Sequence, residues 1–116
     1  MKAKPLGRKG EDLAASYLRE LGWEVIERNY RSWLGEIDLV CRDHDTLVFV
    51  EVKTRTGTDF ARPDQSVTLR KQAKLRRLVE DYLVTHRLES RDVRFDVMGV
   101  TVGSRRPQFD HIVGAL

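Results

Sequence analysis

The chain has 116 residues, a length that suits one domain spanning 1–116, and its 41% hydrophobic and 34% charged residues exclude a disordered polymer. No apolar run nears the roughly 18 residues a membrane span needs and the opening Met1-Lys2-Ala3-Lys4-Pro5 lacks the apolar stretch of a secretory leader, so a cytoplasmic protein with no membrane partner is expected. A single cysteine, Cys41, excludes an internal disulfide and a cysteine-based zinc site, and a net charge of +3 is compatible with a polyanionic partner without requiring one.

Over residues 6–21 the apolar side chains Leu6, Leu13, Ala14, Tyr17, Leu18 and Leu21 recur at helical spacing, and Gly22 follows where a helix-ending glycine belongs. Gly7 and Gly10 fall within the apolar stripe, where a missing side chain permits close backbone approach. The same wheel sends Asp12 to solvent and leaves Glu11 at the edge of the stripe, beside whatever the helix packs on. Residues 23–30 begin as an alternating strand whose pattern then loosens. Residues 35–42 and 46–54 are clearer strands, and the polar link Asp43-His44-Asp45 predicts a hairpin between them.

Residues 57–63 carry turn formers and predict a loop. Residues 69–83 predict a second amphipathic helix, with Arg70, Lys71, Lys74, Arg76 and Arg77 largely on its polar side, and Arg105-Arg106 form a second basic point. Strands at 93–102 and 109–113 complete the chain. The order αβββαββ describes an α/β fold, a mixed sheet flanked by helices.

In the third strand, alternation places Leu47, Phe49, Glu51 and Lys53 on one face, so a carboxylate and an ammonium interrupt an apolar surface. Buried unpaired charge costs several kcal/mol, so the pair must be partnered, bound to a metal or opened to water. If the hairpin closes over residues 43–46, Arg42 faces Leu47, Val40 faces Phe49, and Asp38 lies opposite Glu51. A one-residue slip would break that pairing. Two acids facing each other across a sheet repel, which asks for a cation between them, and oxygen ligands suit Mg²⁺ or Mn²⁺. Phosphodiester hydrolysis needs such an ion to polarise the phosphoryl group and activate water. Asp38 and Glu51 would hold it, Glu11 could complete the ligand set, and Lys53 would orient the water or neutralise charge on the phosphate. Taken alone, Glu51-x-Lys53 is more often a salt-bridged strand pair than a site.

Asp38 followed by Glu51-Val52-Lys53 resembles the active-site signature of the PD-(D/E)XK nuclease superfamily, with Ile37 in place of its proline. More closely, Gly10-Glu11, Glu27-Arg28-Asn29-Tyr30-Arg31, Gly35-Glu36-Ile37-Asp38-Leu39 and Phe49-Val50-Glu51-Val52-Lys53-Thr54-Arg55 are similar to the YraN-like family of small bacterial proteins, and Arg94-Phe95-Asp96-Val97 matches a late family strand. The superfamily resemblance implies a restriction-endonuclease-like fold, a divalent metal, a nucleic-acid substrate and, from the Holliday-junction resolvases, a glutamine near the site, for which Gln72 is the candidate. Resolvase-like relatives often dimerise, and no segment here specifies a homodimer interface.

The expectation is a Mg²⁺- or Mn²⁺-dependent endonuclease acting on DNA, on branched or damaged structures in particular, with Glu11, Asp38, Glu51, Lys53 and Gln72 at its site. Arg55, Arg62, Arg70 and Lys74 flank the site in sequence and are expected to contact phosphates. The alternative is a non-catalytic nucleic-acid-binding module on the same fold, motivated by the small size. Glu36 alternates away from Asp38 and is expected to meet a basic neighbour, and Asp96 reads as an edge charge or an ion-pair partner of Arg28 or Arg31. His44, His86 and His111 lack metal-ligand spacing. Trp33 and Phe60 either stack on bases or pack on the sheet edge.

Overall fold

Four consecutive residues of strand β3 (Thr46–Thr56), namely Leu47, Val48, Phe49 and Val50, are buried. A strand apolar on both faces must lie inside a sheet with a layer on each side. The computed structural model, which describes residues 5–56, 68–88, 91–103 and 105–116, places it there. Around it lie α1 (Pro5–Glu20), β1 (Glu24–Ser32), β2 (Gly35–Asp43), α2 (Leu69–Thr85), β4 (Asp92–Val102) and β5 (Gln108–Ile112). The order αβββαββ is the one the sequence predicts; the loop expected at 57–63, with Phe60 and Arg62, lies outside the described residues.

The sheet order is β1-β2-β3-β4-β5. The two hairpins joining β1, β2 and β3 are antiparallel, as is the β4–β5 pair. β3 and β4 run parallel from Thr46–Asp92 to Thr56–Val102, with α2 in the crossover between them. A parallel pair requires such a crossover, because a tight turn cannot return the chain to the same end of the sheet.

α1 covers one face, packing Ala14, Ala15 and Leu18 against Leu39, Val48 and Val50. α2 covers the other, where Leu78 and Tyr82 meet Val40, Phe49 and Val97. The ring of Tyr82 sits edge-on between Tyr30, at 4.9 Å, and Phe49, at 5.3 Å. α1 ends in a Schellman arrangement: Gly22, at φ +93°, donates to the Arg19 carbonyl and Trp23 to that of Leu18. α2 begins at Thr68, whose hydroxyl accepts from the Lys71 N–H at 3.2 Å. No helix is long and apolar enough to cross a membrane among the described residues.

Gly10 allows the close approach expected of it, since a Cβ built there would lie 1.7 Å from Thr54 Oγ1 and 2.8 Å from Thr54 Cβ. Cys41 is fully buried, as expected of a core residue, and burial first, with the charge of Asp96 second, pushes its thiol up to about 12.

Asp96 corrects the sequence reading. It is fully buried on an interior strand rather than at an edge, and its partners are neither Arg28 nor Arg31. Arg94 grips both carboxylate oxygens at 2.9 Å, His111 Nε2 lies 2.8 Å from one, and the Gly114 N–H donates to the other at 3.0 Å. Burial alone would raise this acid, but the bonds from His111, Arg94 and Gly114 outweigh it and hold the carboxyl below its usual range. β5 and the residues after it are thereby fastened to β4.

The Gly10–Thr54 contact has a measurable cost if filled. Gly10→Ala is expected to lower stability by about 2 kcal/mol in urea unfolding, because overpacking exceeds the ~1 kcal/mol that alanine gains in helix propensity. An unchanged or higher midpoint would show that α1 is free to shift on the sheet.

Candidate functional site

β2 departs from strict alternation at one place. Leu39 and Cys41 face α1 and Val40 faces α2, yet Ile37 also joins the α2-side core, so the alternation breaks at Asp38. The pairing of β2 with β3 ends at the same point. Arg42–Leu47 and Val40–Phe49 are partners as the sequence predicts, but the last pair is Leu39–Val50, while β2 remains paired with β1 down to Ser32–Gly35. The expected Asp38–Glu51 rung is therefore replaced. Asp38 Oδ2 accepts the Val52 N–H at 2.7 Å, and a side chain takes over where the backbone ladder stops.

The same parting of strands gathers acids. Burial, the largest influence, and the charges of Glu11, Glu51 and Glu36 raise Asp38 from 3.8 to about 7 against the lowering effect of the Val52 N–H. Glu51 faces the α2 side and its Oε2 lies 2.7 Å from Lys53 Nζ. Glu11 comes from α1, is 6% exposed, and has Arg28 Nη2 at 3.7 Å. Gly10, seated on Thr54, sets the height of Glu11 over the polar half of β3. Asp12 is exposed as expected and takes the same Arg28 nitrogen at 2.6 Å.

The donor set at this place, Asp38, Glu51 and Glu11, is all oxygen, which fits a hard divalent cation, and a cation there would relieve the repulsion that raises Asp38. Among the described residues no three His, Cys, Asp or Glu side chains are drawn into a ready-made metal cage. The acids form a loose group rather than a closed one.

Glu36 meets the basic neighbour expected of it, Arg31 at 2.6 Å, yet its charge still reaches Asp38. Lys74 lines a cleft with Glu51, whose α2 wall is Lys71, Lys74, Leu75 and Leu78. Gln72 stands in the first turn of α2 but does not line that cleft, and exposed Arg70 is in the same turn. Arg55 is mostly covered and lies 4.0 Å from Asp110 of β5. Trp33 does not pack on the sheet edge: it is 88% exposed in the β1–β2 turn.

Two contributors escaped the sequence. Lys71 is visible there only as one cation among five, and Arg28, one of two arginines the sequence offers to Asp96, instead meets Glu11 and Asp12. A bulge between Val25 and Glu27 and a positive φ at Asn29 shift the phase of β1, which explains why its alternation loosens and why Arg28 arrives beside Glu11.

A five-stranded mixed sheet between two helices, with acids collected where two strands part, defines a small α/β domain with a charged site at the edge of its core. The chain belongs to the UPF0102 (YraN-like) family, whose profile, described as "Uncharacterised protein family UPF0102", matches residues 10–100. It is 46% identical over 108 residues to a UPF0102 protein of Rhodococcus opacus, covering 92% of each chain. A UPF0102 protein of Frankia casuarinae is 47% identical over 117 residues, 99% of each chain, and one of Syntrophomonas wolfei 41% over 112 residues, 97% of each.

The raised acid makes the stability of the fold depend on pH. Asp38 favours the folded state fully below about pH 4, where it is protonated folded or unfolded, and that contribution is lost as pH rises toward 7. Asp38→Asn keeps an oxygen for Val52 without the charge. Its Tm in a chelating buffer is expected to exceed that of the wild type at pH 8, with the gap closing by pH 4. A gap that does not change with pH would disprove the electrostatic origin.

Proposed function

We propose that this protein is a divalent-metal-dependent endonuclease of the PD-(D/E)XK type that hydrolyses phosphodiester bonds in DNA in the cytoplasm. The observation that carries the reading is that Asp38, at the break in the sheet, feels the charges of both Glu51, which is paired with Lys53, and Glu11 of α1; Asp38, Glu51 and Lys53 are the residues the signature names. Branched or damaged DNA is the substrate that the resolvase resemblance favours.

Asp38, Glu51 and Glu11 would hold Mg²⁺ or Mn²⁺, which supplies a polarised phosphoryl oxygen and a water of lowered pKa. The rest follows from the chain's own groups. Lys53, now paired with Glu51 at 2.7 Å, is the cation positioned to orient the attacking water and to offset negative charge developing on the phosphate. Asp38, raised to about 7, changes charge near neutral pH, so cation affinity should climb as pH approaches 7 and then level. Arg70, Lys71 and Lys74 on α2 supply positive charge for the DNA backbone beside the cleft.

The rival reading, a DNA-binding module that does not cut, draws its support from the open spacing of the acids. The two separate on cleavage of single-stranded, duplex and branched DNA with Mg²⁺ or Mn²⁺. Wild type is expected to cut at least one of them, and Lys53→Ala and Asp38→Asn to cut about 100-fold more slowly or worse with circular dichroism unchanged. Salt-sensitive binding by all three proteins with no cleavage by any would establish the binding module.

A further inference from the structure

A tryptophan left 88% exposed is unusual, since this side chain is among the most buried on average. Its exposure does not come from a slack turn. Ser32 Oγ accepts the Leu34 N–H at 3.0 Å, Leu34 is anchored in the α2-side core, and Ser32 pairs with Gly35 across the turn. Gly35, at φ +140°, lies against α2, where an added Cβ would come 3.6 Å from Lys74 Cε and 3.8 Å from Leu78 Cδ2. Trp33 is therefore held out on a fixed support.

Beside it is a cleft of about 410 Å³, lined by Trp33, Arg31, Glu36 and Lys74 among others. It adjoins a second of about 180 Å³ that reaches Glu51, and the two share Leu34, Gly35, Glu36 and Lys74. The passage is cationic on balance: Arg31, Lys71 and Lys74 oppose Glu36 and Glu51, with Glu36 tied to Arg31 and Glu51 to Lys53. An aromatic face beside cations, in a cleft leading to the acid site, is the combination that holds single-stranded nucleic acid.

We propose that Trp33 is a stacking platform for an unpaired nucleotide of the DNA strand entering the site, with Lys74 against its phosphate. This rests on the nuclease reading above and names the form of DNA it takes. In a duplex both faces of each base are already stacked on neighbours, so only a splayed or single-stranded nucleotide offers a face to the indole. Branch points and gaps present such nucleotides. The platform reads no base identity, because every base has a π-face.

The test is binding of oligo(dT) and of a blunt duplex of equal length without divalent ions, by anisotropy, for wild type, Trp33→Ala and Trp33→Phe. Trp33→Ala is expected to weaken oligo(dT) binding about 10- to 100-fold and duplex binding less than about 3-fold, and Trp33→Phe to restore most of the loss. Tryptophan emission of the wild type should be quenched by oligo(dT), with the Trp33 variants losing that response; Trp23, packed against the core with Arg94 over its ring, is the reference. Equal losses on both DNAs, or none, would overturn the platform, as would tighter binding of oligo(rU) by wild type. Unchanged DNA binding with loss of a concentration-dependent dimer in Trp33→Ala would assign the face to a second copy instead. Oligo(dT) binding that survives in Trp33→Ala overturns this inference alone, whereas wild type that binds no oligonucleotide overturns it together with the nuclease reading.

Discussion

The burial of β3 on both faces over its first half, and the end of that burial at Glu51, is the constraint on which the rest of the molecule depends. A central strand must satisfy its backbone on two sides. β4 does so along the full length of β3, from Thr46 to Thr56, but β2 does so only as far as Val50. The Val52 N–H then needs another acceptor close to the core, and the carboxylate of Asp38 provides it. An acid is thus held at the margin of the core by a backbone requirement, where the charges of Glu11, from the helix, and Glu51, from the neighbouring strand, reach it.

Two acids on this sheet show how differently buried charge can be treated. Asp96 is surrounded by Arg94, His111 and the Gly114 N–H and is held below its ordinary range. Asp38 has one N–H donor and three acidic neighbours and is raised to about 7. The first arrangement spends its partners on joining β4, β5 and the residues that follow. The second leaves a group short of positive charge, a condition that a cation would relieve.

Much of this was legible in the chain itself. Hydrophobic periodicity carries the seven elements in order, and a hairpin closed over residues 43–46 sets Arg42–Leu47 and Val40–Phe49 as partners. The glycine within the helix stripe, Gly10, pointed to the close contact on Thr54. What escaped were departures from regular geometry. Alternation continues a ladder indefinitely, whereas β2 and β3 part after Leu39–Val50, before Asp38 is reached. The bulge after Val25 displaced Arg28 from the face that strict alternation assigns. The partners of Asp96 beyond its own strand lie 15 and 18 residues further on, in β5 and the residues after it, and their approach depends on the β4–β5 register, which the two strand patterns alone do not fix.

Cys41 carries a consequence for chemistry done on the protein. Its thiol is the chain's only one, is fully enclosed by the α1-side core, and its ionisation is pushed up to about 12, so reagents meet neither an accessible sulfur nor the small thiolate fraction an ordinary cysteine offers. A thiolate is the species that electrophilic reagents capture, so the native chain offers maleimides and iodoacetamides almost nothing to react with. A cysteine introduced on an exposed turn would be the single addressable position, and dyes, spin labels or crosslinkers could be attached there without first replacing the native residue.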